Sequence, residues 1–279
     1  MIDQPHVTLN DGSVMPQLGL GVWQAADGSE TADAVATAID AGYRSIDTAM
    51  VYQNEQSVGE GIRRSGVDRE QLFITTKLWN SDQGATRVRP ALEASLKRLG
   101  LDYIDLYLIH WPTPSRDLYV ETWKEFEKLK KDGLVRSIGV SNFRIEDLER
   151  LRQECDTVPA VNQIELHPYF QQRELRSYAA TNEIHIESWS PIGGSRGNLL
   201  EDETIRSIAS DKEKSAAQVI IRWHIQNGLI VIPKSVRSER IKENFDVFNF
   251  ELNEQEMNAI AALDSGLRGG PDPASMNNH

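Results

Sequence analysis

The stretch LFITTKLWNSDQGATRVRPALEASLKRLGLDYIDLYLIHWP (72–112) decides the fold. It opens on a nearly continuous apolar run, 72–78. A segment with apolar residues at helical spacing follows, 86–100, and ends on Gly100. A second apolar run, 104–110, completes it. Runs that are apolar throughout suit strands covered on both faces of a parallel sheet. A helical segment closed by glycine suits the crossover that joins such strands.

Outward from this unit the same alternation continues. Upstream lie QLGLGVW (17–23) and RSIDT (44–48); downstream lie VRSIGVSN (135–142), AVNQIEL (160–166), IHIESWS (184–190) and LIVIPK (229–234). Between them ETADAVATAIDAG (30–42), DLYVETWKEFEKLKKDG (117–133) and SAAQVIIRWHIQNG (215–228) carry helical spacing. Eight strands alternating with helices over about 250 residues predict a (β/α)8 barrel, with a doubly wound open sheet as the competitor. HVTLNDGSVMP (6–16) reads as an N-terminal β-hairpin turning at Asn10-Asp11-Gly12. The last fifteen residues, SGLRGGPDPASMNNH, have no periodicity and read as an irregular tail. No repeat or linker divides the chain, so one domain over 1–279 is expected.

Composition removes several classes of function. The net charge is 30 − 42 = −12, which disfavours nonspecific binding to nucleic acid or anionic lipid. Mean hydropathy is −0.46, and no long apolar run predicts a membrane span. A single cysteine excludes an internal disulfide, so a cytoplasmic protein is expected. The N-terminus shows neither the basic nor the apolar region of an export signal. Cys155 precedes the sixth strand, at the wrong end of a barrel for catalysis, and reads as an inert thiol.

Chemistry in such a barrel sits at the C-terminal ends of the strands. Asp47, Lys77 and His110 end three consecutive runs, and neighbouring strands lie about 4.8 Å apart, so the three side chains can converge. Lys77 interrupts an apolar strand. Pointing inward it needs a partner, and Asp47 is the obvious one; at a strand end it could also simply be solvated. Tyr52 follows in the next loop. An ammonium beside a phenol favours the phenolate, so a Tyr next to Lys77 is expected to have a lowered pKa and to donate a proton near neutral pH. His110 with Glu165 and His167 could hold a metal, but no H-x-H or H-E-x-x-H spacing exists, and none is expected. Trp23, Trp79, Trp111 and Trp189 fall at or past strand ends, as walls of a pocket for a flat ring and a small substrate; Trp123 and Trp223 lie within helices. After the eighth run, Lys234, Arg237 and Arg240 gather where a helix begins, a phosphate site in an otherwise acidic chain. The G-x-S-x-G match at 193–197 lacks a following Asp and His at strand ends, since only His224, within a helix, and His279 come later. GLGVWQ (19–24) lacks the third glycine of a dinucleotide-binding loop.

Three long motifs, GYRSIDTAMVYQNE (42–55), LDYIDLYLIHWP (101–112) and IPKSVRSERIKEN (232–244), occur in order. With them the chain resembles the aldo-keto reductase superfamily, in particular the bacterial branch of 2,5-diketo-D-gluconate and methylglyoxal reductases. The resemblance implies a (β/α)8 barrel that binds NADPH/NADP+ without a Rossmann domain, acting as a monomer on small-molecule carbonyls. It implies a catalytic tetrad of Asp47, Tyr52, Lys77 and His110. It places Ser141, Asn142 and Gln163 on the nicotinamide carboxamide and Trp189 on the ring, with Ser190 beside it. It places Lys234, Ser235 and Arg240 on the 2′-phosphate and Glu243 and Asn244 near adenine, with Val236 also among the cofactor-binding residues. Trp23, Trp79, His110 and Trp111 would meet substrate. A regulatory barrel that binds NADP with little turnover is the alternative, and a barrel hydrolase or isomerase acting on a phosphorylated substrate is a more distant one.

Overall fold

A computed structural model describes residues 4–194 and 198–277. The eight expected strands form one parallel sheet in sequence order: β3 (Leu20–Gly21), β4 (Ser45–Asp47), β5 (Phe73–Leu78), β6 (Ile104–Ile109), β7 (Val135–Ser141), β8 (Val161–Glu165), β9 (His185–Trp189) and β10 (Ile230–Val231). Parallel bridges Leu18–Val231 and Gly21–Lys234 join the first of these strands to the last. The sheet therefore closes on itself, and the open-sheet alternative is set aside.

The helices cover its outside: α1 (Ser29–Ala41), α2 (Glu55–Ser65), α3 (Val88–Leu99), α4 (Tyr119–Lys131), α5 (Ile145–Glu154), α6 (Arg173–Thr181), α7 (Glu203–Asp211), α8 (Ala216–Gln226), α9 (Ser238–Phe245) and α10 (Glu254–Ala261). Gly42, Gly66 and Gly100 end α1, α2 and α3 in the left-handed conformation, at φ 116°, 64° and 68°. Their apolar faces meet the outward strand residues in one large cluster that includes Trp123 and Trp223, both buried within helices as expected.

The N-terminal hairpin, β1 (His6–Thr8) and β2 (Val14–Pro16), pairs antiparallel, and Gly12 turns it at φ 85°. Its Leu9 and Met15 pack with Phe73, Leu106, Leu108, Val161 and Ile230 in a second, smaller cluster. This plugs the N-terminal end of the barrel and leaves the opposite mouth for chemistry. The tail after α10 contains no helix or strand among the described residues, but it is anchored: Leu267 N–H donates to the Tyr169 carbonyl at 3.2 Å, and Arg268 lies over the Phe170 ring. Among the described residues no helix is long and apolar enough to cross a membrane. The 193–197 pattern and His279 fall in part or wholly outside the described residues.

Candidate active site

Lys77 is the anchor of the mouth. It sits in β5, fully buried, and its Nζ donates to Asp47 Oδ1 at 2.6 Å and to the Thr48 carbonyl at 2.9 Å. The Tyr52 hydroxyl lies 3.4 Å from the same nitrogen. The alternative of a solvated lysine is thereby excluded. Burial is the largest single influence and works against the Lys77 charge, but Asp47, Tyr52 and Glu187 together outweigh it, and the pKa lies above the ordinary lysine value. Burial pushes the Asp47 carboxyl up, and the Lys77 ammonium pulls it back.

Tyr52 departs from the expectation of a lowered phenol. Burial raises it; Lys77 pulls it down, and Asp47 and Glu187 push it up again. The ammonium acts in the expected direction, but loss of water outweighs it. Tyr52 therefore holds its proton throughout the neutral range. It sits in a short 3-10 turn, Met50–Tyr52, directly after β4, which keeps the phenol within reach of β5.

His110 follows β6, with its ring edge-on to Tyr52 at 5.8 Å and to Trp79 at 5.2 Å between centroids. Its Nδ1 is buried without a partner, which leaves Nε2 as the nitrogen presented to the cavity. Burial, and then Lys77, hold the imidazole well below its ordinary pKa, so it is neutral. Tyr52, His110, Trp79, Trp111 and Trp189 line one cavity of about 580 Å³. Trp23 also touches it but is 53% exposed, so it forms rim rather than wall. Glu165 and His167 do pair, at 3.1 Å, yet no group of three metal-ligating side chains exists among the described residues.

Across the mouth, Ser141 ends β7 and Gln163 lies in β8. Ser141 Oγ donates to the Gln163 carbonyl at 2.9 Å. Asn142 Nδ2 donates to the His110 carbonyl and to Ser141 Oγ, both at 3.0 Å, and its Oδ1 accepts from Trp189 Nε1 at 2.9 Å. Gln163 Nε2 donates to Asp47 Oδ2 at 2.8 Å and to Glu187 Oε2 at 2.7 Å. All the amide hydrogens are occupied. What Asn142 and Gln163 can still offer the cavity is carbonyl oxygen, which suits a ligand bringing N–H groups. Asn142 (φ 64°) and Ser190 (φ 48°) hold left-handed backbone at the ends of β7 and β9, strain of the kind that gathers at sites.

Beyond β10, Lys234 is exposed and touches the Gln24 carbonyl at 3.4 Å, and Ser235 Oγ accepts from the Arg237 N–H at 3.2 Å. Arg237 precedes α9, and Arg240 is exposed on its first turn. Among the described residues Lys234, Arg237 and Arg240 form no ion pair, although Glu239 and Glu243 share the helix with Arg240. Val236 packs partly buried against the core. Glu243 is exposed, whereas Asn244 is buried. Cys155 is half-buried at the far end, with its thiol pushed up to about 11 by burial, in keeping with an inert side chain.

The family described as "Aldo/keto reductase family" matches residues 17–265. The chain belongs to the aldo/keto reductase family. It is 54% identical to methylglyoxal reductase DkgA of Yersinia pestis over 273 residues, 98% of each chain. An aldo/keto reductase structure from Brucella melitensis superposes with a TM-score of 0.90 at 56% identity, covering 94% of this chain and 100% of that one. A Bombyx mori aldo-keto reductase solved in complex with NADP gives a TM-score of 0.90 at 40% identity, covering 96% and 95%.

Two parts of this aldo/keto reductase mouth escaped the sequence reading. Glu187 lies at the centre of β9, buried against Gln163; a glutamate inside the apolar run 184–190 was the available signal. The tail was read as irregular, which it is, but Gly269, Gly270, Pro271 and Met276 also line the cavity. Nothing local in their sequence marks that placement.

Proposed function

We propose that the chain reduces aldehyde and ketone carbonyls to alcohols with NADPH, small dicarbonyls and keto sugars such as 2,5-diketo-D-gluconate included. One observation carries this reading: a buried Asp47–Lys77 ion pair stands 3.4 Å from the Tyr52 hydroxyl, which faces the same cavity as His110. Such a set delivers a proton to an oxygen that is gaining charge.

The residues present fit a nicotinamide dinucleotide. The Gln163 carbonyl oxygen, and the second lone pair of the Asn142 oxygen that already accepts from Trp189, suit the carboxamide N–H groups, and Trp189 supplies a flat wall beside them. The unpaired Lys234 and Arg240, with Ser235, suit a 2′-phosphate, and the NADP complex of the Bombyx mori relative supports this. Val236 and Glu243 flank that end, and the buried Asn244 supports it from within α9. Reduced nicotinamide, when bound, supplies the hydride.

The chain's own groups do the rest. Tyr52 Oη and His110 Nε2 orient the carbonyl oxygen of the substrate. His110, being neutral, donates an N–H and keeps its proton. Tyr52 gives up its proton to that oxygen, and the O–H bond it loses becomes the O–H bond of the alcohol. Lys77 stabilises the phenolate left behind, and Asp47 keeps Lys77 charged and aimed. Trp79 and Trp111 exclude water and fit a small substrate.

The test is loss of nicotinamide absorbance with a panel of methylglyoxal, 2,5-diketo-D-gluconate and simple aldehydes. Turnover with at least one of them, and with NADPH well above NADH, is expected. Tight NADPH binding without turnover of any carbonyl would instead support the regulatory barrel.

A further inference from the structure

Glu187 is a fully buried carboxyl that the proposed reaction does not use. Its Cα is paired across the sheet with Gln163 on β8 and with Ile230 on β10, so its polar contacts lie on one side only. Glu187 Oε2 accepts from Gln163 Nε2 at 2.7 Å, and Oε1 has no hydrogen-bond partner. The other N–H of the same amide goes to Asp47 at 2.8 Å. An amide has two N–H groups, and here each meets its own carboxyl. The only orientation compatible with both contacts turns Gln163 Oε1 away from them, toward the cavity that Gln163 lines.

We propose that Glu187 is a positioning residue of this site: it shares the Gln163 amide nitrogen with Asp47 and thereby holds the Gln163 carbonyl oxygen ready for the coenzyme carboxamide. The inference rests on the proposed function, because it deepens the account of how that coenzyme is oriented.

The protonation state of Glu187 gives the role a signature. A charge on its unpaired Oε1 would be buried with nothing to accept from. The charged and titratable groups facing it are Asp47 from β4, Lys77 from β5 and Tyr52; Gln163 and Ile230 bring no charge. Burial, followed by Asp47, pushes the Glu187 carboxyl up to about 8, against Gln163 and Lys77. In the neutral range Glu187 is thus an uncharged acid. When it ionises, a second negative charge joins Asp47 beside the relay. That charge raises the Tyr52 phenol further and weakens it as a proton donor.

The experiment compares wild type, Glu187→Gln and Glu187→Leu. It measures NADPH affinity by tryptophan quenching, and carbonyl-dependent NADPH oxidation from about pH 6 to about pH 9.5, the span around the Glu187 transition. Glu187→Gln keeps an acceptor for the Gln163 N–H and cannot ionise. Its NADPH affinity is expected to stay within about twofold, and its activity to persist at alkaline pH where wild type falls. Glu187→Leu leaves one N–H unpaired, and about a tenfold loss of NADPH affinity is expected. Superimposable pH profiles for wild type and Glu187→Gln would overturn the proposal, and so would unchanged NADPH affinity in a folded Glu187→Leu. If Glu187→Leu does not fold, the Glu187→Gln profile decides. Wild type that binds NADPH but turns over no carbonyl would count against the proposed function, while the affinity comparison would still judge Glu187 on its own.

Discussion

At Tyr52 the loss of water and the pull of Lys77 act in opposite directions, and water wins. In the proposed reaction the phenol would keep its proton until an oxygen beside it gains charge. Lys77 matters most at that moment, when a phenolate would otherwise stand alone in a buried site. The same logic makes Lys77 costly to remove. Lys77→Met would leave Asp47 as a buried carboxylate without its cation, and a loss of about 3–5 kcal/mol of stability is expected, together with loss of turnover. Chemical denaturation with and without the substitution measures the first. These residues were legible in the sequence because a lysine and an aspartate inside apolar runs demand an explanation. Glu187 carried the same signal. It was harder to use, because its partner Gln163 acquires meaning only when two amide contacts are seen together.

Among the elements, the strands were the most legible, since a strand covered on both faces must be apolar throughout. The ends were less so. β3 and β10 shrink to two residues each in regular pairing, because the bridges at Leu18 and Lys234 that close the barrel are isolated contacts, and periodicity does not encode those. Helix packing also hid a requirement. A Cβ at Gly59 on α2 would lie 2.1 Å from the Leu99 carbonyl oxygen of α3. Gly59→Ala should therefore force the two helices apart and cost about 1–3 kcal/mol, read as a lowered melting temperature. At the junction of β10 and α9, Lys234 and Arg240 are exposed cations without ion pairs among the described residues. Replacing both by alanine should weaken NADPH by about tenfold or more while leaving NADH nearly unchanged. Equal losses for the two coenzymes, measured by fluorescence titration, would remove the 2′-phosphate from the account.

Over the whole molecule, the hairpin closes one end of the barrel and the tail partly covers the other. The tail is held by Glu165 at the end of β8, whose carboxylate accepts the Gly269 and Gly270 N–H groups at 2.5 and 2.8 Å. Gly270 also fits where a Cβ would lie 2.4 Å from the Trp189 ring. Burial alone would raise the Glu165 carboxyl, but His167 and these two N–H groups hold it below the ordinary value. A carboxyl lowered by folding stabilises the folded state above its unfolded pKa, and that stabilisation is lost as pH falls through the folded value. Protection of the Gly269 and Gly270 amides, their exchange rate set against that of an unfolded peptide at the same pH, should therefore fall in acid, and Glu165→Gln should lower it already at neutral pH. Unchanged exchange in that variant would mean the tail is held elsewhere. This placement joins residues more than a hundred positions apart, which is why the sequence showed an irregular tail and not a wall of the cavity.

The central claim is that Tyr52 supplies the proton that completes carbonyl reduction. Tyr52→Phe removes one oxygen from the wall of the cavity and leaves the groups assigned to the coenzyme in place. With NADPH affinity and carbonyl-dependent NADPH oxidation measured on the same preparation, affinity should stay within about twofold and the rate should fall by about a hundredfold or more. A rate near that of wild type, at unchanged affinity, would contradict the account.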